Sequence, residues 1–229
     1  MRSPIPTHVN ASEHLAAEIA EHAAVAARTC DSVAAEFARL VDACATALRS
    51  GHKLLLFGNG GAAAAAQHIA TELVVRYNRE SGHRRPMAAI ALTTDTSALT
   101  AIGNDFGFEQ LFARQILALG RPGDVLLAIS TSGRSPNILS ACRAARECRM
   151  SVIGFTGADG EAMRQCCDVS VQVPCTDTPF IQQVHITLGH TLCAIAEDAI
   201  AGRARAGNAS ANAAPPLSPS APQREPSRT

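Results

Sequence analysis

The strongest constraint in this 229-residue sequence is an alternation of short apolar runs, at 53–57, 87–92, 125–129, 151–155 and 169–173, with longer segments that suit helices. Apolar runs of four to eight residues bounded by turn signals read as strands buried on both faces. Ahead of the first run, Val33, Phe37, Leu40, Val41, Cys44 and Leu48 recur at the three-to-four spacing of one helical face, which Gly51 ends. Further helices are expected at 62–76, 108–119, 138–148, 161–166 and 181–200, with a Thr- and Asp-rich bend between 92 and 108. Strands that alternate with helices pair in parallel, and the helices cover both faces of the sheet. The predicted fold class is α/β, a three-layer sandwich with a central parallel sheet.

Length and composition suit one such domain. Hydrophobic residues make up 47% of the chain, enough for a sizeable core at this length. From Arg203 the sequence turns to Ala, Ser, Asn, Pro and Arg, with Pro215, Pro216, Pro219, Pro222 and Pro226 crowded together, so 203–229 is expected to be a disordered tail. Residues 1–10, with Pro4 and Pro6, read the same way, leaving 11–202 as the domain. A net charge of +0 supplies no global field toward nucleic acid or an anionic membrane, and neither is expected as a partner. The apolar runs fall far short of the roughly 20 residues a membrane helix needs, and no signal-peptide pattern opens the sequence, so a cytoplasmic location is expected. The eight cysteines form no CxxC pair, and most fall at apolar helical positions, where a free thiol packs as a small hydrophobe.

In parallel α/β folds ligands sit beyond the carboxyl ends of the strands. The loop 130–135 after the third run carries Ser130, Thr131, Ser132, Gly133 and Ser135, with Ser135 placed to cap a helix that Pro136 opens. Its hydroxyls and the unpaired amides of a helix N-terminus suit a phosphate. A serine-rich turn that merely caps the helix is the competing reading. The turn Gly58-Asn59-Gly60-Gly61 also fits a dinucleotide fingerprint, but the acidic residue that should follow about 20 positions later is replaced by Arg84, Arg85 and Pro86. Hydride transfer is therefore rejected.

His68 and Glu72 are four residues apart and share a helical face, a spacing that suits a metal pair, an acid/base pair or an exposed salt bridge. Gln182 and His190 lie eight residues apart on the last helix, about 12 Å along its axis. For both to reach one ion, their side chains must stretch toward each other, or helices from two chains must meet. His185 faces elsewhere on that helix and is assigned a structural role.

Taken in order, Gly58-Asn59-Gly60-Gly61, Ala66-Gln67-His68, Thr100-Ala101-Ile102-Gly103-Asn104-Asp105, Ser130-Thr131-Ser132-Gly133, Thr156-Gly157, Ile181-Gln182 and Leu188-Gly189-His190 resemble the pattern of the phosphoheptose isomerases, a family with the sugar isomerase (SIS) fold. The resemblance spans nearly the whole domain. It implies an aldose–ketose isomerase that converts sedoheptulose 7-phosphate to D-glycero-D-manno-heptose 7-phosphate through an enediol, at the start of heptose nucleotide synthesis, as a homotetramer with sites between subunits. Carried onto this chain, it implies that Asn59, Gly60, Gly61, Glu72, Asn104, Asp105 and Gln182 contact substrate, and that Ser130, Thr131, Ser132 and Ser135 hold its phosphate. It further implies zinc on His68, Glu72, Gln182 and His190, with Glu72 and His190 as the catalytic base and acid.

Three positions depart from the family pattern. Ala62 and Ala65 stand where serine and aspartate are usual, and Gln183 where glutamate follows the glutamine. Loss of one neutral hydroxyl contact costs about 0.5–1.5 kcal/mol, which weakens binding without abolishing chemistry. The competing function is a non-catalytic SIS module that binds a sugar phosphate or associates with a replication initiator; such modules lack the glutamate and the late histidine, both present here.

Overall fold

The computed structural model describes residues 10–77 and 84–201. The two expected tails, apart from Asn10, lie outside them. A 39-residue helix, α1 (Ala11–Arg49), opens the fold; Asn10 caps it, its side chain accepting from the Glu13 amide. Sequence periodicity pointed only to the buried half of α1, because Leu15 and Ile19 near its start are exposed and carry no stripe. Then follow β1 (Leu54–Gly58), α2 (Gly61–Val74), β2 (Ala89–Ala91), α3 (Thr96–Phe106), a 3-10 turn (Phe108–Gln110), α4 (Ala113–Leu119), β3 (Val125–Ser130), α5 (Pro136–Glu147), β4 (Ser151–Thr156), α6 (Glu161–Arg164), β5 (Val169–Gln172) and α7 (Thr178–Ile200).

The expected bend between 92 and 108 is instead mostly the helix α3. Asp95 starts it by accepting from the Ala98 amide at 3.0 Å; none of its residues is fully buried, and only Leu99 and Ile102 pack against the core, a short stripe among threonines, serine and alanines. The predicted helix at 108–119 divides into the 3-10 turn and α4.

The five strands are all parallel in the order β2-β1-β3-β4-β5. Alternate side chains feed two cores. Leu54 and Leu56 of β1 pack with α1, α2 and α7, through Leu40, Ile69 and Leu192, whereas Leu55 and Phe57 pack with α4 and α5, through Ile116 and Ile138. The result is the expected three-layer sandwich.

At the amino ends of the strands, buried Asp124 joins β3 to β1. One of its oxygens accepts from the Lys53 amide and the other from the Arg121 amide and the Lys53 ammonium. At the opposite ends, the strand order reverses between β1 and β3, whose Gly58 and Ile129 are register partners. The crevice that such a reversal opens is where the turn 58–61 and the loop 130–135 meet. No helix among the described residues is long and apolar enough to cross a membrane.

Candidate active site

Gly60, at φ 55° and ψ −121°, makes the left-handed turn that lets α2 start directly behind β1. Small residues then allow helices to close on one another. A Cβ at Gly189 on α7 would fall 2.4 Å from Ile69 Cδ1 on α2, and one at Gly61 would fall 2.5 Å from the Gln182 amide nitrogen. This close approach of α2 and α7 brings their polar residues together.

His68 Nε2 lies 2.7 Å from His190 Nε2, although 122 positions separate the two residues. Glu72 Oε1 lies 3.7 Å from the same His68 nitrogen. One donor atom from each of His68, Glu72 and His190 falls within 4.8 Å of the others. Two imidazole nitrogens and a carboxylate oxygen are donors that zinc takes. The set therefore fits a zinc ion. Gln182, His68 and His190 line one groove of about 600 Å³ between α2 and α7. The Tyr77 ring stands 5.5 Å from that of His190.

On the far side of the crevice, Asn59 and Asn137 exchange two hydrogen bonds, Nδ2 to Oδ1 at 3.0 and 2.9 Å, which tie the turn after β1 to the first turn of α5. Ser130 is buried, and its Oγ accepts from the Gly133 amide at 3.1 Å, shaping the loop from within. The Ser132 Oγ accepts from the Arg134 amide at 3.4 Å. Ser135 and Pro136 open α5 as expected, and the Ser135 side chain makes no cap bond, which favours the anion site over the mere cap.

His185 is fully buried, its Nε2 against the Thr156 carbonyl at 3.3 Å. Burial pulls its pKa down to about 4, partly offset by that bond, so the ring is neutral. The same residue lines the α2–α7 groove with Gln182, and its Nδ1 is buried without a hydrogen-bond partner among the described residues. Asn104 and Asp105 bond to each other at 2.7 Å on the exposed end of α3 and are not among the residues lining the groove. The structure thus gathers His68, Glu72, Gln182 and His190 on one side and Asn59 with the serine loop on the other, and leaves Asn104 and Asp105 apart.

A family model described as SIS domain matches residues 19–157. A phosphoheptose isomerase from Bradyrhizobium sp. (strain BTAi1 / ATCC BAA-1182) is 55% identical over 192 residues, 83% of this chain and 96% of that relative. The chain belongs to the phosphoheptose isomerase family. Two solved structures of the family share its fold over their whole length: phosphoheptose isomerase GmhA from Neisseria gonorrhoeae, at 40% identity, 82% coverage of this chain, 100% of that one and TM-score 0.76, and a phosphoheptose isomerase from Francisella tularensis, at 35%, 83%, 100% and 0.78.

All three departures from the family pattern, Ala62, Ala65 and Gln183, line the groove beside His68 and His190. They sit at the site itself. Sequence reasoning missed Asn137 and Tyr77. An asparagine directly after the helix-opening proline, and the chain's one tyrosine five residues past Glu72, were the available signals.

Proposed function

We propose that this protein interconverts sedoheptulose 7-phosphate and D-glycero-D-manno-heptose 7-phosphate, the first step toward a heptose nucleotide. The observation that carries the reading is the convergence of His68, Glu72 and His190 on one point beside the α2–α7 groove, in a chain whose relatives are phosphoheptose isomerases. A binding module has no use for a carboxylate and an imidazole held so close, and the catalytic reading is favoured over it.

The chemistry moves a carbonyl from C2 to C1. Glu72 takes the C1 proton of the ketose to give an enediol and returns a proton to C2. His190 moves the hydroxyl proton between the two oxygens, so that no net proton is gained or lost. His68, Glu72, Gln182 and His190 would hold a zinc ion, which would supply Lewis-acid polarisation of the carbonyl. Ser130, Thr131, Ser132 and Ser135 hold the phosphate, with the N-terminus of α5 favouring its charge. Asn59, Gly60, Gly61, Asn104, Asp105 and Gln182 orient the sugar.

The same reading makes the protein a homotetramer with sites shared between subunits. Support comes from the exposure of Val74, Val75, Phe106 and Phe108 and from α3, which carries Asn104 and Asp105 and has no fully buried residue within its own chain. A cytoplasmic location is supported by eight cysteines that are all free thiols, the state a reducing compartment maintains. Isomerase assays on the purified protein test the function, run with sedoheptulose 7-phosphate and several other ketose phosphates, before and after chelation and with zinc restored. Turnover that is fastest on the seven-carbon ketose and is lost and regained with zinc is expected; no turnover on any ketose phosphate returns the protein to the binding modules.

A further inference from the structure

Behind the site lies an ion pair that the isomerase chemistry does not use. Glu197 follows His190 by seven residues, two turns along the same face of α7. Its side chain is 2% exposed and that of its partner Arg84 is 3% exposed. Glu197 Oε1 accepts from Arg84 Nε and, at 2.7 Å, from the Tyr77 backbone amide. Arg84 Nη2 donates to the Glu72 carbonyl at 2.8 Å. That carbonyl belongs to the last turn of α2, where carbonyls have no partner within the helix and a cation is favoured.

Each of these bonds ends on a residue next to the site. One guanidinium links the backbone of Glu72 to α7, and one carboxylate oxygen fixes the chain at Tyr77, whose ring stands 5.5 Å from that of His190. A buried ion pair is a poor stabiliser, since apolar residues of the same volume serve as well or better. What it supplies here is direction, because a planar guanidinium and a carboxylate accept partners only along fixed lines.

We infer that Tyr77, Arg84 and Glu197 are positioning residues for the reaction: the buried Arg84–Glu197 pair holds the main chain of Glu72 and the ring of Tyr77 so that Glu72 and His190 keep their reactive geometry. The inference rests on the catalytic reading of Glu72 and His190 given above, but part of its test does not.

Tyr77 is the only tyrosine, and tryptophan is absent, so intrinsic emission reports this one ring. The test compares wild type, Glu197→Gln, Arg84→Lys, Tyr77→Ala, Tyr77→Phe and the Tyr77→Ala/Glu197→Gln double variant. Steady-state kinetics on sedoheptulose 7-phosphate are measured for all, with iodide quenching of Tyr77 emission wherever the tyrosine remains. Misplacement of a catalytic group lowers turnover by about ten- to a hundredfold, and that fall in kcat, with KM within about twofold, is expected for Glu197→Gln, Arg84→Lys and Tyr77→Ala. Quenching should rise in Glu197→Gln and Arg84→Lys, Tyr77→Phe should recover most of the Tyr77→Ala loss, and the double variant should be no slower than its slower parent.

Wild-type kcat in Glu197→Gln or Tyr77→Ala overturns the inference, as does full additivity in the double variant. If Glu197→Gln does not fold, Arg84→Lys and Tyr77→Ala decide by the same criteria. If wild type isomerises nothing, the catalytic reading fails on its own account, and unchanged quenching in Glu197→Gln or Arg84→Lys separately overturns the anchoring of Tyr77.

Discussion

Asn59 and Asn137, 78 positions apart, pair their carboxamides face to face across the crevice between β1 and β3. Asn137 is 2% exposed, so its amide depends on Asn59 for this satisfaction. The pair ties the glycine turn after β1 to the first turn of α5, directly behind the serine loop. Asn137→Ala leaves Asn59 without its partner and should lower stability by about 1–3 kcal/mol in urea denaturation, with a raised KM. A variant as stable as wild type with unchanged KM would mean that the turn and the loop hold their spacing without the pair.

The serine loop should respond differently at two of its positions. Ser132→Ala removes a half-buried hydroxyl and should raise KM for a phosphorylated ketose while thermal unfolding stays within about 0.5 kcal/mol of wild type. Ser130→Ala removes the acceptor of the Gly133 amide inside the loop and should affect both. Unchanged kinetics in Ser132→Ala would take its hydroxyl out of the phosphate site.

Ala62 lines the groove where the family has serine. If a hydroxyl at that position reaches the sugar, Ala62→Ser should lower KM by up to about tenfold, the equivalent of roughly 1.4 kcal/mol. A clear rise in KM on the seven-carbon ketose would instead point to a groove shaped for a different substrate.

Acid stability should carry the mark of two buried groups. His185 folds neutral with a pKa near 4 against an ordinary 6.5, so the unfolded chain binds the proton first. Its contribution is complete above pH 6.5 and is lost as pH falls toward 4, amounting to about 3 kcal/mol. Burial pushes the Asp124 carboxyl up, but the bonds from the Lys53 ammonium and from the Lys53 and Arg121 amides outweigh it. The net pKa lies below the ordinary 3.8, and the stability from Asp124 is lost only below that value. Urea midpoints measured against pH should lose the slope between 6.5 and 4 in His185→Gln, whereas Asp124→Asn should flatten the curve only at the acid end. A His185→Gln curve parallel to wild type would assign the slope to other groups.

How much of this was legible in the sequence follows the range of each signal. The apolar runs, the glycine turn and the proline-opened α5 are local, and they appear where the pattern put them. The α3 helix was hidden because its core-facing stripe is only Leu99 and Ile102, and only Asp95 marked its start. His68 and Glu72 were visible as a pair, but their meeting with His190 depends on Gly189 admitting Ile69, a contact between distant segments that no periodicity encodes. Family resemblance pointed to His190 and Gln182; it did not point to Asn137, Tyr77 or the Arg84–Glu197 pair.

The enzyme reading depends most on Glu72, whose carboxylate lies 3.7 Å from His68 Nε2 and is not hydrogen-bonded to it. Glu72→Gln keeps the size of the side chain and a carbonyl oxygen but cannot take the C1 proton, which makes it a sharper probe than Ala. Removing a general base commonly costs about 10²–10⁴-fold in rate, and a loss made in the transition state falls on kcat more than on KM. His190→Gln should do the same if that ring moves the hydroxyl proton. Zinc content must be measured on the same samples, because a variant that has lost metal would imitate one that has lost its base. With zinc retained, Glu72→Gln should also stop exchange of the C1 proton of sedoheptulose 7-phosphate with deuterated water, a partial reaction that needs the base and not the completed isomerisation. Exchange at the wild-type rate would place the base on another residue, whatever the effect on overall turnover.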